Sequence, residues 1–351
     1  MRTGDYSGLS SGSAQGTGEH TATSSHFVDE ALEATITEGM RKSEDLLITE
    51  LGRGEDFLVE RVSHLAHAGG KRFRPMFTML AAQFGENPES DKVITAATVL
   101  ELTHLATLYH DDVMDEADKR RGVPSANSRW DNTVAILAGD YLFAAASRLL
   151  AELGSESVAH FAETFGVLVT GQMRECLNDL DLPIEERIER YLKVIAEKTG
   201  VLIASAGYLG AYHAGASAEI SNALRRYGEL IGIVFQIVDD IIDISSNTDQ
   251  SGKTPGTDLR EGVFTLPVLY ALQEDTPAAD RLREILVGPV SDDALVDEAL
   301  ELLAQTNGVA RAMEKVNELL DESDRVIADL PDCAAKEALR HVARYTVERV
   351  G

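Results

Sequence analysis

Apolar residues recur at helical spacing along nearly the whole chain, and this periodicity restricts the possible folds more than any other feature. From about Phe27 onward, such segments are separated by short stretches rich in Gly, Pro, Asn or Ser, and no convincing run alternates apolar and polar residues as strands do. The pattern predicts an all-α fold. The predicted helices span residues 27–51, 55–67, 72–84, 90–115, 132–152, 156–180, 184–214, 217–245, 264–273, 292–305, 308–328 and 333–349.

Three residues suit the starts of predicted helices. Pro183 fits the first turn of a helix, where its missing backbone N–H costs nothing. Ser217 and Ser291 fit N-cap positions, where a hydroxyl accepts a hydrogen bond from a backbone N–H. These residues support three of the predicted helix starts.

The composition fits one large helical domain. Of the 351 residues, 44% are hydrophobic but only 6% are aromatic, so Leu, Ile, Val and Ala must fill the core, which suits helix packing better than a β-sandwich. The first 26 residues are rich in Gly, Ser and Thr and cannot bury enough surface to order themselves. We expect a flexible tail over 1–26 and a single all-helical domain over 27–351.

The charge balance excludes several classes of partner. Lys and Arg total 32 against 59 Asp and Glu, a net charge of −27, so no general attraction to nucleic acid or anionic lipid is expected. No run reaches the length of a membrane span, and the first residues lack a secretory signal. Cys176 and Cys333 match neither a metal site nor a disulfide framework. We therefore expect a soluble, cytoplasmic protein without a transmembrane segment.

One acidic pattern occurs twice, as DDVMD at 111–115 and DDIID at 239–243, and both copies continue long apolar helical stretches. On a helix, the first and fifth residues of the pattern lie on one face, about one turn apart. Crowded carboxylates resist ionising unless cations compensate them, and oxygen ligands favour hard ions such as Mg²⁺. A single copy would be interpreted as a solvated helix end, but two copies favour a metal site.

Clusters of cations are informative in so acidic a chain. One cluster alone is explained as well by surface solubility. Two clusters beside two acidic motifs indicate two phosphorylated substrates, because Arg and Lys are the usual partners of phosphate oxygens. The clusters comprise Lys71, Arg72 and Arg74 in GGKRFRP and Lys119, Arg120 and Arg121 in DKRRG, and further candidates are Lys198, Thr199 and Lys253.

Further features adjoin the acidic motifs. His104 precedes Asp111 by two helical turns and so lies on the same face, where it either lines the same cavity or is a structural histidine. Glu101 and His104 form an E-x-x-H pair, but a di-iron bundle needs two such pairs. The polar connections 116–131 and 245–262 follow the two motifs and are either lids or ordinary surface loops.

Together these residues resemble the trans-isoprenyl diphosphate synthases, or polyprenyl synthetases, from about residue 27 to the end. The segments GGKRFRP, ELTHLATLYHDDVMDEADKRRG, Gly171-Gln172, EKTG, FQIVDDIID and GKTPGTD occur in the family's order and at similar spacing. The resemblance implies a single all-α domain of the isoprenoid synthase fold around a central deep cavity. Members of this family are usually dimeric, and a homodimer is expected here.

The resemblance also implies a reaction that begins at the acidic motifs. About three Mg²⁺ ions would be held on an allylic diphosphate, either farnesyl or geranylgeranyl diphosphate. Once its charge is neutralised, the diphosphate would depart and leave an allylic cation. The metal ligands implied are Asp111, Asp112, Asp115, Asp239, Asp240 and Asp243, and the cations implied at this diphosphate are Arg120, Lys198 and Lys253.

By the same resemblance, a second pocket would hold the diphosphate of isopentenyl diphosphate. Its double bond would attack the cation, form a carbon–carbon bond and lose a proton to the departing diphosphate, without a protein nucleophile. Val263 follows Gly262 where many family members have Lys, which puts one diphosphate contact in doubt. The pocket residues implied are Lys71, Arg74, His104 and Arg121, and those implied beside the cation and the metal ligands are Gln172, Thr199 and Gln236.

The residues before the first motif predict the length of the product. Ala106 and Thr107 stand where short-chain relatives often carry bulky aromatic residues that close the cavity, one helical turn or slightly more below the motif. Small residues there would leave a tunnel open for a long-chain polyprenyl product, destined for the side chain of menaquinone or another quinone. Phe165 and Phe161 either close the tunnel deeper down or pack in the core.

Other functions fit the sequence less well. A class I terpene cyclase shares the metal-triggered departure of diphosphate but usually lacks a second D-D-x-x-D pair and GGKRFRP. A non-catalytic partner subunit would tend to lose aspartates or cations, and a helical metal-binding scaffold would not need two cation clusters. A short-chain synthase that makes geranylgeranyl or farnesyl diphosphate stays the nearest alternative.

Overall fold

The computed structural model describes residues 29–177, 180–245 and 255–348, and over these ranges the chain is almost entirely helical. The all-α prediction is therefore confirmed, while the predicted tail, 1–26, lies outside the described residues. The α-helices are α1 (Glu30–Leu51), α2 (Asp56–Val62), α3 (His64–His67), α4 (Phe73–Ala82), α5 (Asp91–Met114), α6 (Ala126–Arg129), α7 (Asn132–Leu153), α8 (Ser155–Glu175), α9 (Ile184–Ile195), α10 (Val201–His213), α11 (Ala218–Ser245), α12 (Thr257–Glu261), α13 (Leu266–Leu272), α14 (Pro277–Ile285), α15 (Asp293–Leu303), α16 (Gly308–Val326) and α17 (Ala334–Glu348). A π-helical segment, Ala196–Gly200, joins α9 to α10, and β1 (Lys119–Arg120) pairs antiparallel with β2 (Val123–Pro124).

Of the three residues predicted at helix starts, only Ser217 has the position that was predicted for it. The Ser217 hydroxyl accepts a hydrogen bond from the N–H of Ile220 at 3.3 Å, as an N-cap does. Pro183 is the residue before α9 rather than part of its first turn. The prediction for Ser291 was wrong by one position, because Asp292 caps α15 through a 2.8 Å bond from the N–H of Ala294.

Several elements differ from the helical pattern of the sequence. The predicted helix over 55–67 divides into α2 and α3, and the one over 184–214 contains the π-helical segment. α12 and α14 were not predicted, although Thr276 and Pro277 form a recognisable start for α14: the Thr276 hydroxyl accepts from the N–H of Ala279 at 3.2 Å. Short helices bury too few periodic positions to produce a clear pattern.

The connection 116–131 is tied down by hydrogen bonds. It forms the β1–β2 hairpin and α6, and the carbonyl of Ala117 accepts hydrogen bonds from Ser125 at 2.5 Å and Asn127 at 3.1 Å. This anchoring holds the cations of the hairpin in place beside the end of α5. Half of the other predicted lid, 245–262, lies outside the described residues.

α5 is the central helix and contacts α1, α4, α7 and α10. It is buried on several faces, with Leu100, Leu105 and Tyr109 completely inaccessible, and the hydroxyl of Tyr109 donates to the carbonyl of Arg61 at 2.6 Å. α10 packs against α4 and α11 in the same way. Because a long core holds α5 and α11, the acidic motifs at their C-terminal ends have well-defined positions.

α7 is apolar enough to cross a membrane by length and composition alone, with a mean hydropathy of 1.5 over its most apolar window. The prediction that no run reaches this length was therefore wrong. The helix packs against α5 and α8 through residues such as Ala138 and Leu142, and 44% of that window is buried. α7 is thus a packed helix that keeps one apolar face at the surface.

Candidate active site

One deep cavity of about 890 Å³ opens between α4, α5, α8, α10, α11 and the β1–β2 hairpin. This volume lies within the range of cavities that bind small organic molecules. Its mouth is polar and its depth is apolar, with Asp111 and Asp239 at the mouth and Phe143, Phe165 and Leu168 among the apolar lining. The cavity therefore offers charged groups and an apolar chamber to the same ligand.

The three aspartates of the first motif have different surroundings. Asp111 lines the cavity, and burial raises its pKa to about 6, although the nearby ammonium of Lys198 opposes this shift. Asp112 is completely buried, and one of its oxygens accepts a 2.6 Å hydrogen bond from Arg120. The other oxygen of Asp112 has no partner among the described residues. Asp115 is exposed at the C-cap of α5.

The second motif repeats this division. Asp239 lines the cavity, whereas Asp240 is 4% exposed and accepts hydrogen bonds from the Tyr191 hydroxyl and, at 2.9 Å, from the Gln236 amide. Burial raises the pKa of Asp240 to about 7, although both hydrogen bonds oppose the rise. Thr199 donates to the other end of the Gln236 amide at 3.1 Å, so the π-helical segment takes part in the same network.

Asp243, the last residue of the second motif, anchors the chain that returns to the site. Its carboxylate accepts the N–H of Asp258 at 3.2 Å, and its carbonyl accepts the N–H of Gly256 at 3.0 Å. Lys253, which the sequence also indicated, lies outside the described residues.

The carboxylates of the two motifs stand on separate walls of the cavity. Over the described ranges, no group of three Asp, Glu, His or Cys side chains is close enough to hold a metal ion by itself. Hard divalent ions nevertheless suit these groups, because burial raises the pKa of Asp111 and a cation beside it would favour the ionised carboxylate. An ion bound here would need further oxygen ligands from a substrate or from water.

The first cation cluster surrounds the opposite side of the mouth. The Arg74 Nε atom is buried without a hydrogen-bond partner in the described part of the chain, and burial lowers its pKa to about 10. His104 lines the cavity, where burial and then the charge of Arg74 lower its pKa well below the ordinary value, so the imidazole is neutral at pH 7. Lys71 lies over the ring of Phe235, 5.6 Å from its centre.

Arg72 lines the cavity with its neighbours in this cluster, but two carboxylates also hold its guanidinium. It adopts a left-handed backbone conformation and donates hydrogen bonds to Glu44 at 2.8 Å and to Glu101 at 2.7 Å. These ion pairs give Arg72 a structural role, and its part in an anion site stays a prediction. Glu101, the glutamate of the E-x-x-H pair, is only 2% exposed and accepts the hydrogen bond from Arg72.

Arg121 reaches the cavity from the hairpin, and a glycine gives it room. Its guanidinium donates to the carbonyls of Leu65, at 3.0 Å, and Gly69. A Cβ atom at Gly70 would lie 2.8 Å from the Arg121 guanidinium carbon, and Gly70 also has a positive φ of 147°. The double glycine before the first cluster thus allows both cation segments to meet.

Lys198 lies at the mouth on the π-helical segment, facing α8. Its ammonium contacts the Glu175 carboxylate at 2.5 Å, and the neighbouring residues form a second ion pair, Arg174 with Glu197, at 2.9 Å. Burial lowers the pKa of Lys198, but the charges of Glu175 and Asp111 outweigh burial and raise it overall. The sequence pattern contained no signal for Glu175, because the pair joins segments distant along the chain.

The cavity lining includes some of the residues that were predicted to shape the tunnel and excludes others. Thr107 lines the cavity, but Ala106 does not: it is completely buried in the core, since adjacent residues of a helix are turned by about 100°. Phe165 lines the cavity and its ring centre lies 4.5 Å from that of Phe143 on α7. Phe161 stacks on Phe165 at 6.2 Å but lies outside the lining.

The structure therefore brings most of the predicted site residues to one cavity. Two groups differ: Asp112 and Asp240 are buried beneath the walls, and Asp115 and Asp243 lie beyond the lining. The residues on the cavity surface are Lys71, Arg74, His104, Asp111, Arg120, Arg121, Gln172, Lys198, Thr199, Gln236 and Asp239.

The chain is similar to known proteins over most of its length. A model of the family "Polyprenyl synthetase" matches residues 55–303. A nonaprenyl diphosphate synthase of Mycobacterium tuberculosis is 52% identical over 323 residues, covering 92% of this chain and 96% of the relative. The crystal structure of a Corynebacterium glutamicum geranylgeranyl pyrophosphate synthase, complexed with calcium and isoprenyl diphosphate, is 60% identical, with a TM-score of 0.84 and coverage of 93% of this chain and 99% of the other. A decaprenyl diphosphate synthase of Rhodobacter capsulatus is 32% identical, with a TM-score of 0.82 and coverage of 92% and 99%.

Because the pKa of Asp240 is raised, we expect the free energy of unfolding to depend on pH. In the folded chain this carboxyl binds a proton more tightly than in the unfolded chain, so its favourable contribution is present at low pH and is lost as pH rises from about 4 to about 7. Without divalent ions, we expect Asp240→Asn to be increasingly stabilising, relative to wild type, over this interval, by up to about 3 kcal/mol. Urea unfolding in EDTA at several pH values measures this difference, and a difference independent of pH would contradict the prediction.

Proposed function

Since the chain belongs to the polyprenyl synthetase family, we propose that it is a prenyltransferase that adds successive isopentenyl diphosphate units to an allylic diphosphate and releases a long-chain polyprenyl diphosphate. One observation carries this proposal: a single cavity combines carboxylates, a separate cation cluster and an apolar chamber. Joining two diphosphate esters of apolar chains requires all three parts, since each diphosphate needs its own site and the growing chain needs an apolar one.

We place the allylic diphosphate at the two acidic motifs. Asp111 and Asp239 face the cavity and would contact the divalent ions, with Asp115 and Asp243 as further ligands at its rim. Asp112 and Asp240 act one step away, by orienting Arg120 and Gln236. Mg²⁺, about three ions of it by family resemblance, would neutralise the diphosphate when bound and so assist its departure.

Charged and polar side chains beside the acidic motifs would also bind the allylic diphosphate and stabilise the allylic cation. Lys198 and Arg120 stand beside the same carboxylates and would bind diphosphate oxygens, as would Lys253. Gln172 and Thr199 line the cavity nearby and would direct the negative ends of their dipoles toward the allylic cation. Gln236 holds Thr199 and Asp240 in one hydrogen-bonded row. Apolar walls exclude the water that would otherwise trap the cation.

We place isopentenyl diphosphate at the first cation cluster. Arg74, Arg121 and Lys71 converge on this side of the mouth, and the neutral imidazole of His104 can donate one hydrogen bond without adding a charge. The unpartnered, buried Nε of Arg74 supports an anionic ligand here. After the double bond attacks the cation, the departing diphosphate accepts the released proton, so no basic side chain is required.

A direct assay tests the reaction. Purified protein with Mg²⁺, labelled isopentenyl diphosphate and either farnesyl or geranylgeranyl diphosphate should form elongated products. Asp111→Asn and Asp239→Asn should each lower kcat by on the order of 10²-fold or more, because each removes charge at the metal-binding end. Asp297→Asn, an exposed aspartate on α15, is the matched control and should leave kcat unchanged. Absence of elongation with every allylic primer would refute the proposed function.

The products after which the relatives are named differ in length. The relative at 52% identity is named for a nonaprenyl product, which favours a long chain, and the 60% identical structure is named for geranylgeranyl pyrophosphate, which keeps a shorter product as the alternative. Inside the cavity, the small side chain of Thr107 leaves open the part of the chamber between the acidic motifs and the aromatic lining. Phe143 and Phe165, in contact with each other, form the bulky part of the deep lining. We propose that this aromatic pair limits elongation of a long-chain product.

Product lengths should respond to substitutions in the lining. Thr107→Tyr should shorten the main product, because its ring would fill the part of the chamber that Thr107 leaves open, and Phe165→Ala should lengthen it by opening the deep end. Phe161→Leu, which changes a residue outside the cavity, is the matched control for packing effects. Chromatography of the products after removal of the diphosphate measures their length. Unchanged product length in both lining variants would contradict the proposed tunnel.

We also propose that the chain forms a homodimer through exposed apolar side chains of the α7–α8 hairpin. Clustered apolar side chains at a surface mark protein interfaces. Those on these two helices are 39 to 67% exposed, namely Ile136, Leu137, Val158, Val167, Val169 and Met173, and three of them, Ile136, Val169 and Met173, also line the cavity. A second copy would cover the open side of α7, which is otherwise an apolar helix half buried against α5 and α8.

Disruption of this apolar surface should change the molecular mass in solution. A charge at the centre of an apolar interface cannot be hydrated there, so Leu137→Glu should convert a dimer into a chain of 38.0 kDa. Val287→Glu alters a still more exposed apolar residue, 71% accessible, far along the chain, and should leave the dimer intact. Sedimentation velocity distinguishes the two species. A wild-type protein that sediments as a monomer would refute the proposal.

A long polyprenyl diphosphate suits the side chain of menaquinone or another quinone, and we propose this use for the product. The apolar chain anchors such a molecule in lipid, while its diphosphate is the group that a later transferase would displace. We propose that the enzyme acts in the cytoplasm. Its two cysteines are exposed and unpaired, as expected in a reducing compartment.

A further inference from the structure

The ion pair between Lys198 and Glu175 crosses from the π-helical segment to the last turn of α8. Their charged atoms are 2.5 Å apart, and the side chains are 26% and 32% exposed, so the pair lies at the open mouth of the cavity. Lys198 lines the cavity, whereas Glu175 lies outside the lining and belongs to neither acidic motif. The pair is therefore placed to control where the ammonium points.

The two elements that carry this pair are joined closely. A Cβ atom at Gly171 would lie 2.7 Å from the Cβ atom of Glu197, so α8 and the π-helical segment meet almost backbone to backbone. A second ion pair lies next to the first. It joins Glu197, on the π-helical segment, to Arg174, on α8, at 2.9 Å, so the acid and the base have exchanged elements. This second pair lies outside the cavity lining. A substitution in it therefore perturbs the packing of the two elements without changing where the Lys198 ammonium points.

Glu175 is needed because Lys198 has competing acceptors. The carboxylates of Asp111 and Asp115 also attract its ammonium. A lysine has a long and flexible side chain, so without a fixed partner it would turn toward Asp111 and neutralise the group that faces the cavity. Glu175 contacts the ammonium directly at 2.5 Å, whereas Asp111 acts on it only as a nearby charge, so the contact with Glu175 holds the ammonium away from Asp111. Both groups then stay available for a diphosphate and its cations.

We propose that Glu175 is a positioning residue, which holds the Lys198 ammonium at the cavity mouth and keeps it from pairing with Asp111. The inference rests on the proposed function, since it assigns Lys198 to the leaving diphosphate. Glu175 itself contacts no substrate. Its whole effect on catalysis passes through Lys198, and this makes the proposal testable by a double-mutant cycle.

The cycle uses Glu175→Ala, Lys198→Ala and the double variant. Glu175→Ala should lower kcat by on the order of tenfold and leave the KM for isopentenyl diphosphate unchanged, because that substrate binds at the Arg74 side. In the Lys198→Ala background, Glu175→Ala should have no further effect. Glu175→Asp, which keeps the carboxylate, should recover part of the loss. Arg174→Ala breaks the neighbouring pair and should keep kcat within about twofold of wild type.

A second measurement does not depend on turnover. Calorimetry with inorganic diphosphate and Mg²⁺ should show weaker binding in Glu175→Ala and in Lys198→Ala, with no additional loss in the double variant. Additive losses in either measurement, or an equal loss in Arg174→Ala, would overturn this inference and leave the proposed function standing. A wild-type chain that binds diphosphate with Mg²⁺ but elongates no primer would overturn the proposed function instead.

Discussion

Arg72 donates a 2.7 Å hydrogen bond to Glu101, a carboxylate that is only 2% exposed, and this ion pair joins the segment before α4 to the central helix α5. A charge is tolerated at such depth only beside a partner, because a buried charge left without its partner destabilises the fold by about 3–5 kcal/mol. Arg74 and Arg121 are placed around this pair and His104 stays neutral among them. On the other side of the mouth, Lys198 is held by Glu175 in a more exposed ion pair.

The repeated acidic motif illustrates how one sequence pattern serves two purposes. In both copies the first aspartate, Asp111 or Asp239, faces the cavity, while the second, Asp112 or Asp240, is buried and hydrogen-bonded to a side chain of the chain itself. Adjacent residues of a helix are turned by about 100°, so they cannot share one face. The buried member of each pair orients groups at the site. The six carboxylates therefore do not share one position relative to the cavity.

Much of the fold could be predicted because apolar periodicity follows from the burial of one side of each helix. The bounds of α7, α11 and α16 agree closely with those drawn from the pattern. Where the pattern was short or interrupted, the prediction failed: the cap of α15 falls at Asp292, and a π-helical turn replaces a continuous helix around Lys198. A π turn differs from an α turn by one residue, which is too small a change for a periodicity to reveal.

The sequence by itself determined the helical class, the two acidic motifs, the cation clusters and the chemistry to which they are suited, because these depend on residue type and local spacing. Only the tertiary structure decided which members face the cavity. Ala106 and Thr107 are neighbours, yet one lies in the core and the other in the lining. The partners of the charged groups, Tyr191 for Asp240 and Glu175 for Lys198, come from other helices. Such pairs depend on how the helices pack against one another, and spacing along the chain carries no record of that packing.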